Sequence, residues 1–526
     1  MKSILFVTFD YKKPEYPPIS YSTACLIAAL DPEQVDVKVL PFDVRHGLVR
    51  DGARRKLGSV EPWVAEQLQA NRAFIDEFDF IAIPLMAWTE KYVESFLRTL
   101  DDFRGRVVLG GYQVSALSDD ALLSRFPRVD YFIRGYAELD LPRIVVEGWQ
   151  PESKIIDGEV GEGDLVSPYL SGVLNTYSKS IHWETVRGCP HRCGFCEWGN
   201  SRKKNIVSMP EDRIDAEIEL FRNRHVGHVN ILDGAFNSGK NYLDVFRKLL
   251  SIPGLRITCQ ARFERLCTAH GRDFLALCAE NADRVHLEFG LQTIHANEAA
   301  LIGRKNNLPK IEQALALLRE GGIDFETSLI YAIPGQTPMT FVDSIEFLLT
   351  NGCSTVRAFP LRIPANSGLR QRQAEFGVVH ARDRFTVESV GESESFTRVQ
   401  RASMDVIAAQ LSVPKGNRTI SLEQVRAGAE VDKATNYQWR IGKVRDPALA
   451  TRIVQAANPS LASACSDLDG QEGRLATFTV MGNVAKYRED HVKLANKLLG
   501  GEIRPLGIVA TVSEGGRLYV WADGSI

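Results

Sequence analysis

The chain has no apolar run of about eighteen residues, the length that crosses a bilayer as a helix, so no membrane span is expected. Its opening, MKSILFVTFDYKKPEY, holds an apolar stretch too short for a secretory signal core and no small-residue cleavage site, which points to a cytoplasmic location. No charge of one sign dominates either. With 63 basic and 66 acidic residues the net charge is −3, so no overall basic field draws in nucleic acid, and only a local patch could do so. Internal repeats and low-complexity stretches are missing too. Cysteine is scarce: nine in 526 residues are too few and too uneven for a disulfide framework. These absences leave a globular protein of roughly two to four domains, with a small molecule, amino acid or peptide favoured over nucleic acid as its ligand. What remains is one asymmetry, three of the nine cysteines within eight residues.

The chain reads as α/β. From residue 1 to about 150, apolar runs alternate with helical patterns, with strands at Ile4–Val7, Val35–Leu40, Phe80–Pro84, Val107–Leu109 and Tyr131–Ile133. Helices fit Ser20–Leu30, Lys91–Leu100 and Asp119–Arg125. This alternation predicts an open parallel sheet covered on both faces, with ligands beyond the carboxyl ends of its strands. Those ends carry Thr8-Phe9-Asp10, Leu85 to Thr89, Gly110 to Gln113 and Gly135 to Glu138. Residues 151–180 are rich in Gly, Asp, Glu and Ser and read as a connection. A second alternation over 181–411 has strands at Val229–Leu232, Leu255–Gln260, Arg284–Phe289, Thr327–Ile330 and Thr355–Leu361, and predicts a partial or full parallel (β/α) barrel. Residues 415–526 read as a small α+β domain with helices at Ala448–Ala457 and Asp490–Leu499, then a hairpin turning at Glu514-Gly515-Gly516.

Cys189, Cys193 and Cys196 stand in HWETVRGCPHRCGFCEWGN with C-x3-C-x2-C spacing. Three thiolates on one loop can each bind one iron of a four-iron cluster and leave the fourth open to substrate or cosubstrate. A structural zinc site would be closed by a fourth ligand, and with His191 inside the loop and His182 before it, ligand count alone leaves zinc open. Cys25, Cys259, Cys267, Cys278, Cys353 and Cys465 are scattered in apolar contexts and read as small core residues.

The C-x3-C-x2-C motif, with Phe195 before its last cysteine and placed after the first strand of the barrel-like region, resembles the radical S-adenosylmethionine (SAM) enzymes. ETVRGCPHRCGFCEWG further resembles the branch with an N-terminal cobalamin-binding domain, a likeness covering residues 1 to about 410. It implies a [4Fe-4S] cluster, S-adenosylmethionine, cobalamin and a one-electron reductant such as flavodoxin or ferredoxin. It also implies a flavodoxin-like (Rossmann-type) fold for the first domain. Phe195, Asp233 and Gly234, Glu288 and Gln292 in HLEFGLQT (with Thr293), Arg304, and Ser328 and Gly335 in TSLIYAIPGQT match the family's S-adenosylmethionine contacts. Asp233-Gly234-Ala235 stands in place of the commoner Gly-Gly-Glu. Thr8, Phe9, Met86, Ala87, Trp88, Gly110, Gly111, Tyr112, Gly135, Tyr136 and Glu138 match the cobalamin-facing loops. The D-x-H-x-x-G lower-ligand motif is absent; His46 has the wrong spacing, so no histidine is expected below cobalt.

The resemblance implies a methyltransferase: one S-adenosylmethionine methylates Co(I), and a second, cleaved at the cluster, yields a radical that abstracts a substrate hydrogen. The substrate radical then takes the methyl group from cobalt onto an unactivated carbon. The alternatives are a cyclisation or rearrangement with the same cofactors, a radical enzyme without cobalamin, or a non-catalytic cobalamin or metal sensor. No catalytic acid, base or nucleophile stands out. Trp198, Arg362, Asn366, Tyr437, Trp439 and Arg440 are the candidate substrate contacts.

Overall fold

The computed structural model describes residues 1–10, 16–44, 60–196 except 101, and 206–411 except 354 and 383–387, with strands at 435–441, 476–483, 508–511 and 517–520 beyond them. Strands β1 (Lys2–Asp10), β2 (Val35–Asp43), β3 (Phe80–Pro84), β4 (Arg106–Gly110), β5 (Tyr131–Gly135) and β6 (Ile155–Gly158) form one parallel sheet in the order β2-β1-β3-β4-β5-β6. β1 is buried from Ile4 to Phe9 because it is covered on both sides. Leu5, Val7 and Phe9 join one apolar cluster, and Ile4 and Phe6 another. This is the near-continuous apolar run that a central parallel strand requires. The sequence places the first five strands correctly. The sixth lies in the stretch read as a connection, where Ile155-Ile156 is too short to stand out among the acidic and glycine residues.

The second sheet comprises β7 (Ile181–Trp183), β10 (His228–Ile231), β11 (Arg256–Ala261), β12 (Val285–Gln292), β13 (Asp324–Tyr331) and β14 (Thr355–Pro360), all parallel and in sequential order. A short antiparallel pair, β8 (Val186–Arg187) and β9 (Val207–Ser208), brackets the cysteine segment. Sequential order with right-handed crossovers puts every helix on one face, and twist curls the sheet into a partial barrel. The alternation shows it. Val229, Ile231, Ile257, Cys259, Leu287 and Phe289 are buried, while His228, Asn230, Thr258, Gln260, His286 and Glu288 are more exposed. A polar inner face therefore runs through the half-barrel.

Beyond β14 come an antiparallel pair, β15 (Val379–Arg382) with β16 (Glu388–Glu392), and a helix, Arg398–Leu411. In the tail, β17 (Thr435–Ile441) pairs with β18 (Ala476–Asn483), and β19 (Ile508–Thr511) with β20 (Arg517–Val520), both antiparallel, so the expected terminal hairpin has its two strands. The turn at 514–516, both expected tail helices, His46, Trp198 and Cys465 lie outside the described residues, as do the side chains of Tyr437, Trp439 and Arg440. Among the described residues no helix is long and apolar enough to cross a membrane.

Candidate active site

β8 delivers the chain to Gly188, whose φ of 94° turns it into the cysteine loop. The loop is held from beneath: Gly194 N donates to Ile302 O at 2.8 Å, and Cys196 N to Cys193 O at 3.1 Å. Gly303, at φ 63°, lets the two backbones meet, since a Cβ there would lie 2.7 Å from Arg192 O. Arg304 follows. It donates to Gly290 O at the end of β12 and brings Nη1 to 3.7 Å from Cys193 Sγ. Asn306 locks this turn with 2.8 Å bonds to Leu291 O and Thr293 O.

Two more nitrogens stand beside the loop. Arg262, at the carboxyl end of β11, has its backbone held by Asn237 and its Nη2 on Lys305 O at 3.2 Å, while its Nη1 is buried with no hydrogen-bond partner. His191 Nε2 is likewise buried and unpartnered. Burial first, then the nearby Arg262 and Arg304 cations, push the His191 pKa down to about 4, so its ring is neutral at pH 7. Unsatisfied buried polar atoms are rare, and two of them beside three thiols mark a place built for something polar. Among the described residues no three His, Cys, Asp or Glu side chains converge on a point that would hold a single metal ion. Three thiols on separate points of a loop suit a cluster, in which each thiolate takes its own iron.

The carboxyl ends of both sheets open onto one cavity of about 1030 Å³. From the second sheet and its loops come Cys189, Cys193, Cys196, Phe195, Gly234, Glu288, Gln292, Arg304 and Ser328. Asp233 and Gly335 are not among the lining residues. Asp233 is buried and spends its oxygens on Thr185 N, Thr185 Oγ and Val186 N, fixing the approach to β8. Gly335 sits at φ 89° with its N–H on Ser395. From the first sheet, Ala87 and Trp88 (after β3) and Tyr112 (after β4) face the cavity. Thr8 and Phe9 are buried, Phe9 in the sheet core against Phe42 and Tyr92. Met86 closes a turn with Thr89. Gly110 ends β4, Gly111 (φ 103°) and Gly135 (φ 70°) make the turns after β4 and β5, and Tyr136 and Glu138 turn toward Arg187. Arg362 lines the cavity and Asn366 does not.

Sequence reasoning passed over Gln260, Arg262, Glu90, Arg125 and Arg370, all on the cavity wall. Gln260 and Arg262 lie at the carboxyl end of β11, where the rule for parallel barrels would have found them. Glu90 and Arg125 are joined across two helices, with Glu94 as a second partner, and carry no local signal. Burial, with Glu326 alongside, raises the Glu288 pKa. The cavity therefore has a cationic wall around the thiols, polar strand residues on its floor and aromatic residues on the facing lip. Its volume of about 1030 Å³ stands at the upper end of the range for sites that bury a drug-sized ligand.

Residues 183–348 match the radical SAM superfamily. A protein of Streptomyces tokunonensis named cobalamin-dependent radical SAM methyltransferase TokK is 28% identical over 263 residues, 46% of this chain and 38% of that protein. The 2-(S-pantetheinyl)-carbapenam-3-carboxylate methyltransferase of Streptantibioticus cattleyicolor is 24% identical over 378 residues, 62% of this chain and 54% of that one. The aligned regions thus span about half or less of these relatives. The solved structure of the cobalamin-dependent S-adenosylmethionine radical enzyme OxsB, with aqua-cobalamin and S-adenosylmethionine bound, superposes with a TM-score of 0.55. It has 13% identity and covers 95% of this chain and 80% of that one, a likeness of fold.

Proposed function

We propose that this chain, a radical SAM protein through residues 183–348, is a cobalamin-dependent methyltransferase that places a methyl group on an unactivated carbon of a small molecule, amino acid or peptide. One observation carries the reading: a single cavity receives the cysteine loop from one parallel sheet and the strand-end loops of another. Such ends are where open and barrel α/β folds bind their ligands, so two cofactor sites would face each other across one substrate space. The two relatives named as methyltransferases support the choice of reaction.

In this reading Cys189, Cys193 and Cys196 hold three irons of a [4Fe-4S] cluster and leave one iron for S-adenosylmethionine. Arg304 and Arg262 offset the negative charge of the thiolates, and neutral His191 offers a hydrogen bond without adding charge. Glu288, Gln292 and Ser328 provide polar contacts for the cosubstrate on the barrel floor. Ala87, Trp88 and Tyr112 would provide a partly apolar lip for a corrin face. Bound together, these cofactors supply one-electron chemistry, hydrogen abstraction and a transferable methyl group. The chain supplies placement and exclusion of water.

Anaerobic reconstitution tests the reading. Iron and sulfide near four per chain, a corrin spectrum and methyl label passing from S-adenosylmethionine into a product are expected. A single zinc per chain would exclude the radical chemistry. Label recovered in methionine and absent from the product, while 5′-deoxyadenosine accumulates, would move the protein to the rearrangement class.

A further inference from the structure

Where the two units meet, part of the contact is apolar. Tyr21, Ala24 and Cys25, on the helix Tyr21–Ala28 after β1, share a core cluster with Trp183 and Phe221 of the second unit. Apolar packing is non-directional, so alone it fixes the rotation of one sheet against the other poorly.

Into this contact the chain places a buried cation. The Arg187 side chain is 9% exposed. Its Nη1 donates to Glu138, its Nε to Glu184 Oε2 at 2.9 Å, and its Nη2 to Cys25 Sγ at 3.4 Å. Its guanidinium carbon lies 5.4 Å from the Tyr136 ring centroid. Tyr136 and Glu138 belong to the strand-end loop of β5, and Cys25 to the helix after β1. Arg187 itself ends β8, two residues before Cys189. One side chain therefore ties the root of the cysteine loop to two elements of the first sheet's unit. A second buried arginine spans the same contact: Arg213 bonds Glu217, Leu165 O at 2.8 Å and the Tyr21 hydroxyl at 3.3 Å.

Stability is a weak account of such an arrangement. Each buried ion costs several kcal/mol of desolvation, and apolar side chains of the same volume often hold two surfaces together as well or better. What a guanidinium adds is direction, because its planar fork donates to its partners at fixed angles.

We propose that Arg187 is a positioning residue that orients the cysteine loop against the strand-end loops of the first sheet and so sets the separation of the two cofactor sites. The proposal rests on the functional reading above, in which both sites are occupied. Arg213 keeps the two units docked when Arg187 is changed, so substitutions there report orientation.

Two variants test it. Arg187→Lys keeps the charge and loses the fork. The triple variant Arg187→Met, Glu138→Gln, Glu184→Gln removes the cation together with both of its carboxylates and strands neither. In protein without added cofactors, hydrogen exchange is expected to quicken on both sides of the contact, at 136–138 and 184–189, with β3, β4, β11 and β12 unchanged. In reconstituted enzyme, 5′-deoxyadenosine formed per methyl transferred is expected to rise at least about tenfold, because an ångström of misplacement costs on the order of a hundredfold in rate. Exchange changes confined to one side, changes spread through both sheets, or an unaltered ratio would overturn the proposal. Should the unsubstituted enzyme transfer no label, the methyltransferase reading fails on its own, and the two-sided exchange response alone decides for or against the positioning role.

Discussion

Asp233 is a residue whose surroundings give it a role that its neighbours in sequence do not announce. Burial lifts its pKa from 3.8 to about 7, against the lowering effect of the bonds from Thr185 and Val186. A carboxyl raised in the folded state holds a proton that the unfolded chain releases. Its contribution is therefore full below about pH 4 and is lost as pH rises through about 7. Asp233→Asn keeps an acceptor for the two N–H groups and can donate to the Thr185 hydroxyl. Its unfolding free energy, followed by urea titration at several pH values, should fall less between pH 4 and 7 than that of the parent. Glu217 is a second buried carboxyl, held by named partners. It is fully buried and accepts from Trp183 Nε1 at 2.7 Å, from Ser167 and from Arg213. Glu217→Ala strands the Arg213 charge and should cost about 3–5 kcal/mol, read from the denaturation midpoint, whereas Glu217→Gln should lose less.

At the scale of the element, the cysteine loop is shaped by a segment a hundred residues away. Gly303 has positive φ, and a Cβ there would meet the Arg192 carbonyl at 2.7 Å, a backbone atom with little room to move. Gly303→Ala should leave both sheets intact, since it touches neither, but displace the loop. Iron incorporated per chain on reconstitution should fall with little change in far-UV circular dichroism. Replacing Cys189, Cys193 and Cys196 together with Ala should abolish iron binding and 5′-deoxyadenosine formation outright. The cysteine spacing is fully legible in the sequence. The support from Gly303, Arg304 and Asn306 is not, because it depends on β12 delivering the following helix and turn, Ala296–Leu301 and beyond, underneath the loop. Strand identity was legible for a related reason: central strands of covered parallel sheets are continuous apolar runs. β6, an edge strand of four residues, has too few side chains to give that signal.

At the scale of the whole molecule, two sheets of different winding bring their carboxyl ends to one cavity. Ligand bound to the folded state alone stabilises by mass action, about 2.7 kcal/mol at a hundred times Kd. Adding cobalamin should therefore raise the thermal midpoint of the intact chain. Trp88→Ala, on the facing lip, should shrink that rise while leaving the midpoint without cobalamin nearly unchanged, because Trp88 is 43% exposed. By itself the sequence determined the long apolar strands, the two alternating blocks and the triplet of thiols, because periodicity and spacing are local and written along the chain. The tertiary structure alone decided which strand-end residues share the cavity, that Asp233 turns into the frame, that Gln260 and Arg262 join the wall, and that Arg187 reaches Glu138 across the contact. Those are meetings of residues far apart in sequence. They exist because the winding of each sheet and the packing between them put particular ends face to face.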